Sequence, residues 1–460
     1  MAASGVASIR PLPGPNPVPA GNYDLAGLGY LEQEFLLGGS AGSYRLTSER
    51  SADGRWTAGP AEAAPFTTRL IVRRPADPAD FSGTVVVEWL NVSGGMDVAP
   101  DWMLAHTHLT RRGHAWVGVS AQRAGIEGGG LVDGMHLKSL GERYAVLSHP
   151  GDAWSFDIFS QAGRALLAAD PGAPLGPLLP DRLLATGHSQ SAAFLVSYVN
   201  AVDPLAAVYD GFQVHGRPAA GASFETGFTL PSGRGGPGER IRDDVRVPVI
   251  VLQTETDVAL LGGGRAGQPD GERLRQWELA GAAHGDTYLL GASWRDDGRL
   301  PPARLAELLA PTTQTLAGQT DYPVNSGPQH HYVACAAVDH LDAWVAEGRP
   351  APAAPRLRAT ADGRDFERDG DGIAAGGIRT PWTDVPAATL SGLGQSGSLF
   401  AVLFGTTTPL TAGRLAELYP AGKPDYLAAF TAALDQAIGA GFLLADDRAE
   451  MLALAGASFR

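Results

Sequence analysis

The sequence has no second cysteine: Cys335 is the only one among 460 residues, so no intrachain disulfide can form and a thiolate metal cluster is excluded. Basic runs are missing as well. Lys and Arg number 35 against 49 Asp and Glu, for a net charge of −14, and without a Lys/Arg-rich stretch the chain repels polyanions, which argues against nucleic acid as a partner. No segment holds about 18 uninterrupted apolar residues, the length a membrane span needs. The start, MAASGVASIRPLPGPNPVPAG, lacks the basic and apolar regions of a usual signal peptide. The expectation is a soluble chain with no membrane span, cytoplasmic rather than secreted, and nothing in it marks an oligomeric state.

What is plentiful is glycine (60) and proline (34), with only 18% charged residues, a composition that suits a loop-rich enzyme better than a disordered or coiled-coil protein. Residues 27–74 carry short runs such as YLEQEFLL and TRLIVRR between Gly/Ser-rich turns and read as an antiparallel β region. From about residue 83 the pattern changes. Runs apolar on both faces, at 84–90, 115–121, 182–187, 206–214, 245–253 and 275–281, alternate with helical stretches at 98–112, 152–169, 190–200 and 329–347. Such alternation predicts an α/β fold, a doubly wound and mostly parallel sheet whose functional residues sit at the carboxyl ends of the strands. The organisation expected is an N-terminal β-rich extension over 1–82, a catalytic core over 83–349 with lid-like insertions at 217–245 and 285–328, and a C-terminal helical subdomain over 350–460 packed on the core.

A serine hydroxyl becomes a nucleophile only beside a base, and on this kind of sheet it sits on a tight strand-to-helix turn flanked by small residues. Gly187-His188-Ser189-Gln190-Ser191-Ala192 has those surroundings. Taken alone, Ser189 could equally be a helix N-cap. Ser40 and Ser396 lie in similar glycine-rich patterns, but Ser40 falls in the β region with no helix after it, and Ser396 follows a glycine-rich loop. The partners favour Ser189, because an acid and a histidine are expected after later strands, in that order. His284 follows the 275–281 run, whereas His330, His331 and His340 belong to the 329–347 helix and read as polar residues of its start and face. For the acid, Asp257 stands in the loop after 245–253. Glu255 is the alternative, pointing to the same side if the chain stays extended. The oxyanion hole would combine the backbone N–H of Gln190 with that of Asn91 or Val92 in the loop before Gly94-Gly95. Glu88, inside the strand VVVEWLN, is either an orienting group for that loop or a satisfied structural carboxylate.

These segments together resemble a family. VVVEWLNVSGG, GHAWVGVSAQRAGI, RYAVLSHPGDAWSFDIFSQA, GHSQSA, PVIVLQTETD and ELAGAAHGD, in this order, are similar to bacterial and fungal proteins described as α/β-hydrolase domain-containing. The similarity runs on through YDLAGLGYLEQEFLLGGSAGSYR near the start and GGIRTPWTDVPAATLSG, LFGTTTPL and LYP near the end. It implies the α/β-hydrolase fold over nearly the whole chain and a triad of Ser189, an acid and His284, with Ser191 departing from the usual glycine. It implies no particular substrate.

The leading expectation is a serine esterase that cleaves carboxylic esters of small molecules without a cofactor or metal. Lactone opening, amide or peptide cleavage and acyl transfer would use the same triad. A binding protein on an inactive hydrolase scaffold is the reading of another class, and a metallohydrolase is disfavoured because the histidines lack HExxH-like spacing.

Overall fold

The computed structural model describes residues 7–16, 21, 23–132, 134–168, 172–229, 237–315, 318–398 and 400–459. Residues 230–236 of the expected 217–245 insertion, 316 and 317 of the 285–328 insertion, residue 169 of the expected 152–169 helix, and 1–6, 17–20 and 22 of the N-terminal extension lie outside them.

Among the described residues nine strands form one sheet: β1 (Ser8–Leu12), β2 (Tyr30–Leu46), β3 (Ala58–Pro75), β4 (Thr84–Trp89), β5 (Ala115–Val119), β6 (Arg182–His188), β7 (Gly211–His215), β8 (Val249–Thr254) and β9 (Leu274–Leu279). Their spatial order is β1-β2-β3-β5-β4-β6-β7-β8-β9. The first three are antiparallel, as is the β3–β5 pair, and from β5 to β9 every neighbour is parallel. The antiparallel N-terminal region and the parallel α/β region therefore share one sheet, as the two hydropathy patterns predict.

Successive residues of a strand point to opposite faces, and here both faces are covered. Val85, Val87 and Trp89 of β4 enter one apolar cluster with Phe156, Phe159 and Phe194, while Val86 enters a second with Trp102, Trp116 and Trp277. Trp89 stacks on Phe194 at 4.9 Å and packs on Phe159 at 4.6 Å, which clamps the helix Gln190–Ser197 against β4. The helix Gln329–Glu347 covers the second face and has the bounds expected of it. C-terminal helices Lys423–Gly439 and Arg448–Ser458 send Phe430, Leu434, Met451 and Leu454 into the same cluster as Trp277. No helix among the described residues is long and apolar enough to cross a membrane.

Glu88 is fully buried in β4 and accepts three hydrogen bonds, from the Asp101 N–H (3.0 Å), the Trp102 N–H (2.9 Å) and Trp116 Nε1 (2.9 Å). Two of these are orphan donors of the first turn of the helix Pro100–Arg111, so Glu88 serves as a cap reached from a neighbouring strand. Because each buried donor left unpaired costs about 1–3 kcal/mol, Glu88→Ala is expected to lower stability by roughly 3 kcal/mol or more in urea unfolding. An unchanged midpoint would show that water replaces the carboxylate.

Candidate functional site

Three strand ends on the carboxyl edge of the sheet bring the sequence candidates together. β6 stops at His188, and Ser189 turns the chain into the helix Gln190–Ser197 with φ 63° and ψ −117°. An L-residue with a Cβ is strained there by about 1–3 kcal/mol. Neighbouring strands hold the turn in place: the Ser189 N–H donates to His215 O at 2.9 Å, and Ser191 Oγ donates to Leu90 O at 3.1 Å. A Cβ on Gly187 would lie 3.1 Å from the Cβ of Ser191 and from Leu195 Cδ1, which explains the small residue required before the turn. Ser189 itself remains half-buried and reachable.

β8 ends at Thr254 and passes at once into the short helix Glu255–Ala259. The extended course that would put Glu255 and Asp257 on one side is therefore absent. A capping box replaces it: Asp257 Oδ2 accepts from the Thr254 N–H (2.7 Å) and from Thr254 Oγ1 (2.8 Å). Asp257 Oδ1 is left to face His284 Nδ1 at 2.5 Å. Burial pushes the Asp257 carboxyl up, but the charge and hydrogen bond of His284 and the Thr254 donors outweigh it and hold it below the ordinary range. With the folded value depressed, this contribution to stability is present above the unfolded aspartate value of about 3.9 and is lost as pH falls through the folded one.

Glu255 turns the other way. It accepts from the N–H groups of Gly281 (2.6 Å) and Gly392 (2.8 Å) and from Ser391 Oγ (3.2 Å), and burial raises its pKa despite these donors.

His284 follows β9 through a turn in which Gly281 has φ 66°. The carbonyl of Gly281 accepts from Asn325 Nδ2 (2.9 Å) and Gln329 Nε2 (2.6 Å), and the His284 N–H donates to Thr256 Oγ1 (3.2 Å). Its ring lies 4.4 Å from that of His188, the residue before Ser189, so the carboxylate–imidazole pair abuts the strained turn. Gly216 borders both rings: with φ 61°, a Cβ there would meet His188 Nε2 and His284 Cε1 at 3.1 Å.

The remaining candidates part company. His340 Nε2 contacts Gly441 O at 2.7 Å, away from this edge. His330 and His331 start the 329–347 helix but are not the polar terminal residues the sequence suggests, being 0% and 2% exposed. Covering the sheet buries that end of the helix: His331 stacks on Tyr288 at 4.0 Å, and His330 meets His215. Ser40 lies within β2, and Ser396 is bonded to exposed Asp321.

In the loop after β4, the Asn91 N–H is engaged by Val98 O at 2.9 Å and its side chain donates to His188 O at 2.9 Å. Of the two backbone donors considered there, Val92 is the one with no acceptor among the described residues. Ser93 Oγ reaches Gln190 Oε1 at 3.2 Å, so this loop and the start of the 190–197 helix are tied side chain to side chain. The sequence reading passed over His188, His215 and Gly216. Their signal was position, since each lies at or just past the carboxyl end of a parallel strand.

The model of a family described as "Alpha/beta hydrolase domain" matches residues 6–453. A search of curated protein sequences finds no match. Among solved structures, the chain is similar to a serine hydrolase without a lid from Xanthomonas campestris (14% identity, 47% of this chain and 72% of that one, TM-score 0.24). It is also similar to a glucuronoyl esterase from Solibacter usitatus (13%, 60% and 84%, TM-score 0.30) and a thermostable esterase from Pseudomonas putida (13%, 56% and 75%, TM-score 0.28). At these scores the likenesses carry no argument about substrate.

The strain at Ser189 can be measured without any substrate. Glycine adopts φ near +60° without a Cβ clash whereas alanine keeps it, so Ser189→Gly is expected to be more stable than Ser189→Ala by about 1 kcal/mol. Equal melting temperatures would mean that the turn relaxes when the hydroxyl is removed.

Proposed function

Since the chain belongs to the alpha/beta hydrolase domain family, we infer that it is a serine hydrolase acting on carboxylic esters of small molecules, with Ser189 as nucleophile, His284 as general base and Asp257 as the acid that orients it. The observation that carries this reading is the 2.5 Å contact between Asp257 Oδ1 and His284 Nδ1, set against the strained turn that presents Ser189. A carboxylate on Nδ1 fixes the tautomer whose Nε2 can accept a proton.

The steps follow from those roles. Ser189 Oγ bonds to the ester carbonyl while its proton passes to His284, and the developing oxyanion is met by the N–H groups of Gln190 and Val92. As the carbonyl re-forms, the alkoxy group leaves with the proton from His284. Water, deprotonated by the same imidazole, then adds to the acyl-enzyme and releases the acid, restoring Ser189. Glu255 takes a structural part, because its two oxygens are committed to the Gly281, Gly392 and Ser391 donors.

Ser189→Ala is expected to abolish hydrolysis of p-nitrophenyl acetate and labelling by a fluorophosphonate, while Ser40→Ala and Ser396→Ala keep both. Absence of labelling in the folded wild-type protein would favour an inactive hydrolase scaffold instead.

The two acids separate in a paired test of kcat and stability. Asp257→Asn should lower kcat by about four orders of magnitude, as loss of the correct histidine tautomer does. Glu255→Gln should retain most turnover but lose roughly 1–3 kcal/mol of stability, because an amide cannot accept on both sides. A greater loss of kcat at Glu255 would exchange their roles.

A further inference from the structure

Behind the turn that carries Ser189, three histidines from distant parts of the chain meet. His188 at the end of β6, His215 at the end of β7 and His330 in the first turn of the 329–347 helix each bring a ring nitrogen to within 4.8 Å of the others, and all three are buried. Two of the rings are backed by carboxylates. His215 Nδ1 is 2.6 Å from Asp101 Oδ1, and His330 Nδ1 is 3.6 Å from Asp286 Oδ2. Both acids are anchored from elsewhere, Asp101 by the Thr186 hydroxyl and Asp286 by the Leu289 N–H at 2.9 Å. On their other sides, His215 Nε2 and His330 Nε2 face each other at 2.8 Å, and His188 Nε2 has no hydrogen-bond partner among the described residues.

Neutral rings beside ionised carboxylates cannot satisfy this cluster. The short contact to Asp101 places a hydrogen on His215 Nδ1 and leaves its Nε2 as an acceptor. If His330 carries its hydrogen on Nε2, it donates to His215, but its Nδ1 lone pair then faces the Asp286 carboxylate. Neither of those atoms, His330 Nδ1 or Asp286 Oδ2, has a hydrogen-bond partner among the described residues. If the hydrogen is on Nδ1 instead, two lone pairs oppose each other at 2.8 Å. One more hydrogen between His330 Nδ1 and Asp286 Oδ2 removes both conflicts but leaves His188 Nε2 buried and without a partner among the described residues. A cation held between the three rings removes all of them at once, with each outer N–H of His215 and His330 directed at its own carboxylate. That pattern, imidazole ligands oriented by carboxylates behind them, is the usual outer shell of a metal site.

We propose that His188, His215 and His330 bind a single divalent transition-metal ion of the zinc class, the class that imidazole donors suit. Nitrogens about 2.0–2.1 Å from a tetrahedral zinc stand about 3.3 Å apart, so His215 and His330 need separate by only about half an ångström from their 2.8 Å contact. The ion would pin β6, β7 and the 329–347 helix together behind the Ser189 turn, as a structural tie that takes no part in bond cleavage. The absence of HExxH-like spacing does not bear on such a site, because its ligands come from three separate elements.

The test uses the full chain produced in zinc-supplemented medium and dialysed against metal-free buffer. Elemental mass spectrometry should find about one zinc per chain, and the content should fall to background in folded His215→Gln and His330→Gln. Cobalt-grown protein should show visible ligand-field absorption that both variants lose. Should the variants not fold, guanidinium unfolding of the wild-type protein in the presence of a chromogenic zinc chelator should release the same single equivalent. Folded wild-type protein with only background zinc and cobalt would overturn the proposal, and so would full occupancy in both variants.

Discussion

One carboxylate, that of Asp257, is bound on both oxygens to different structures. Oδ2 closes the capping box that starts the helix Glu255–Ala259, and Oδ1 holds the His284 ring. The imidazole is thus positioned by the same geometry that begins the helix. The two residues before it extend the arrangement. Glu255 grips the backbone on both sides through Gly281 and Gly392, and Thr256 Oγ1 donates to Gly392 O at 2.7 Å while accepting from the His284 N–H. Three consecutive side chains therefore fix the turn after β9, the segment 391–392 and the histidine. Such a hub is stiff because each member is fully buried and fully bonded.

The hub also explains which parts of the candidate site could be read from the sequence. Strand-end position pointed to Ser189, Asp257 and His284, because a parallel sheet exposes the carboxyl ends of its strands and their loops in one place. Asp257 was favoured by its loop position and Glu255 was an alternative only if the chain stays extended after Thr254, a matter of local hydrogen bonding that periodicity does not encode. Thr254 and Asp257 have capping-box spacing, and that was the available signal. The strand expected over 206–214 begins only at Gly211, because Asp203–Ala206 forms a helical turn and Ala207 reverses the chain with φ 47°. An apolar run that begins in a turn looks the same in sequence as one that is strand throughout. The three-histidine cluster was legible only in part: strand-end position marks His188 and His215, but His330 comes from a distant helix, and only the folded sheet brings the three together.

The antiparallel β1–β3 and the C-terminal helices are parts of the same packing problem as the parallel strands. β3 pairs with β5, and the helices at 423–439 and 448–458 complete the apolar layer over Trp277 and the 329–347 helix. Each face of the sheet is closed by segments remote in sequence, so much of the chain contributes to a surface that no single segment could bury alone.

The bonds from Glu255 and Thr256 to Gly392 have a consequence for the order of events during synthesis. A chain emerging from the ribosome has β8, β9 and His284 in hand well before residue 392 exists. At roughly 5–20 residues per second, the intervening stretch of about a hundred residues takes on the order of 5–20 s to make. Over that interval the buried carboxylate of Glu255 lacks one of its backbone donors, and Thr256 lacks its carbonyl. The nascent protein thus carries all nine strands of the sheet with an unfinished site, which locks only once residue 392 has been made.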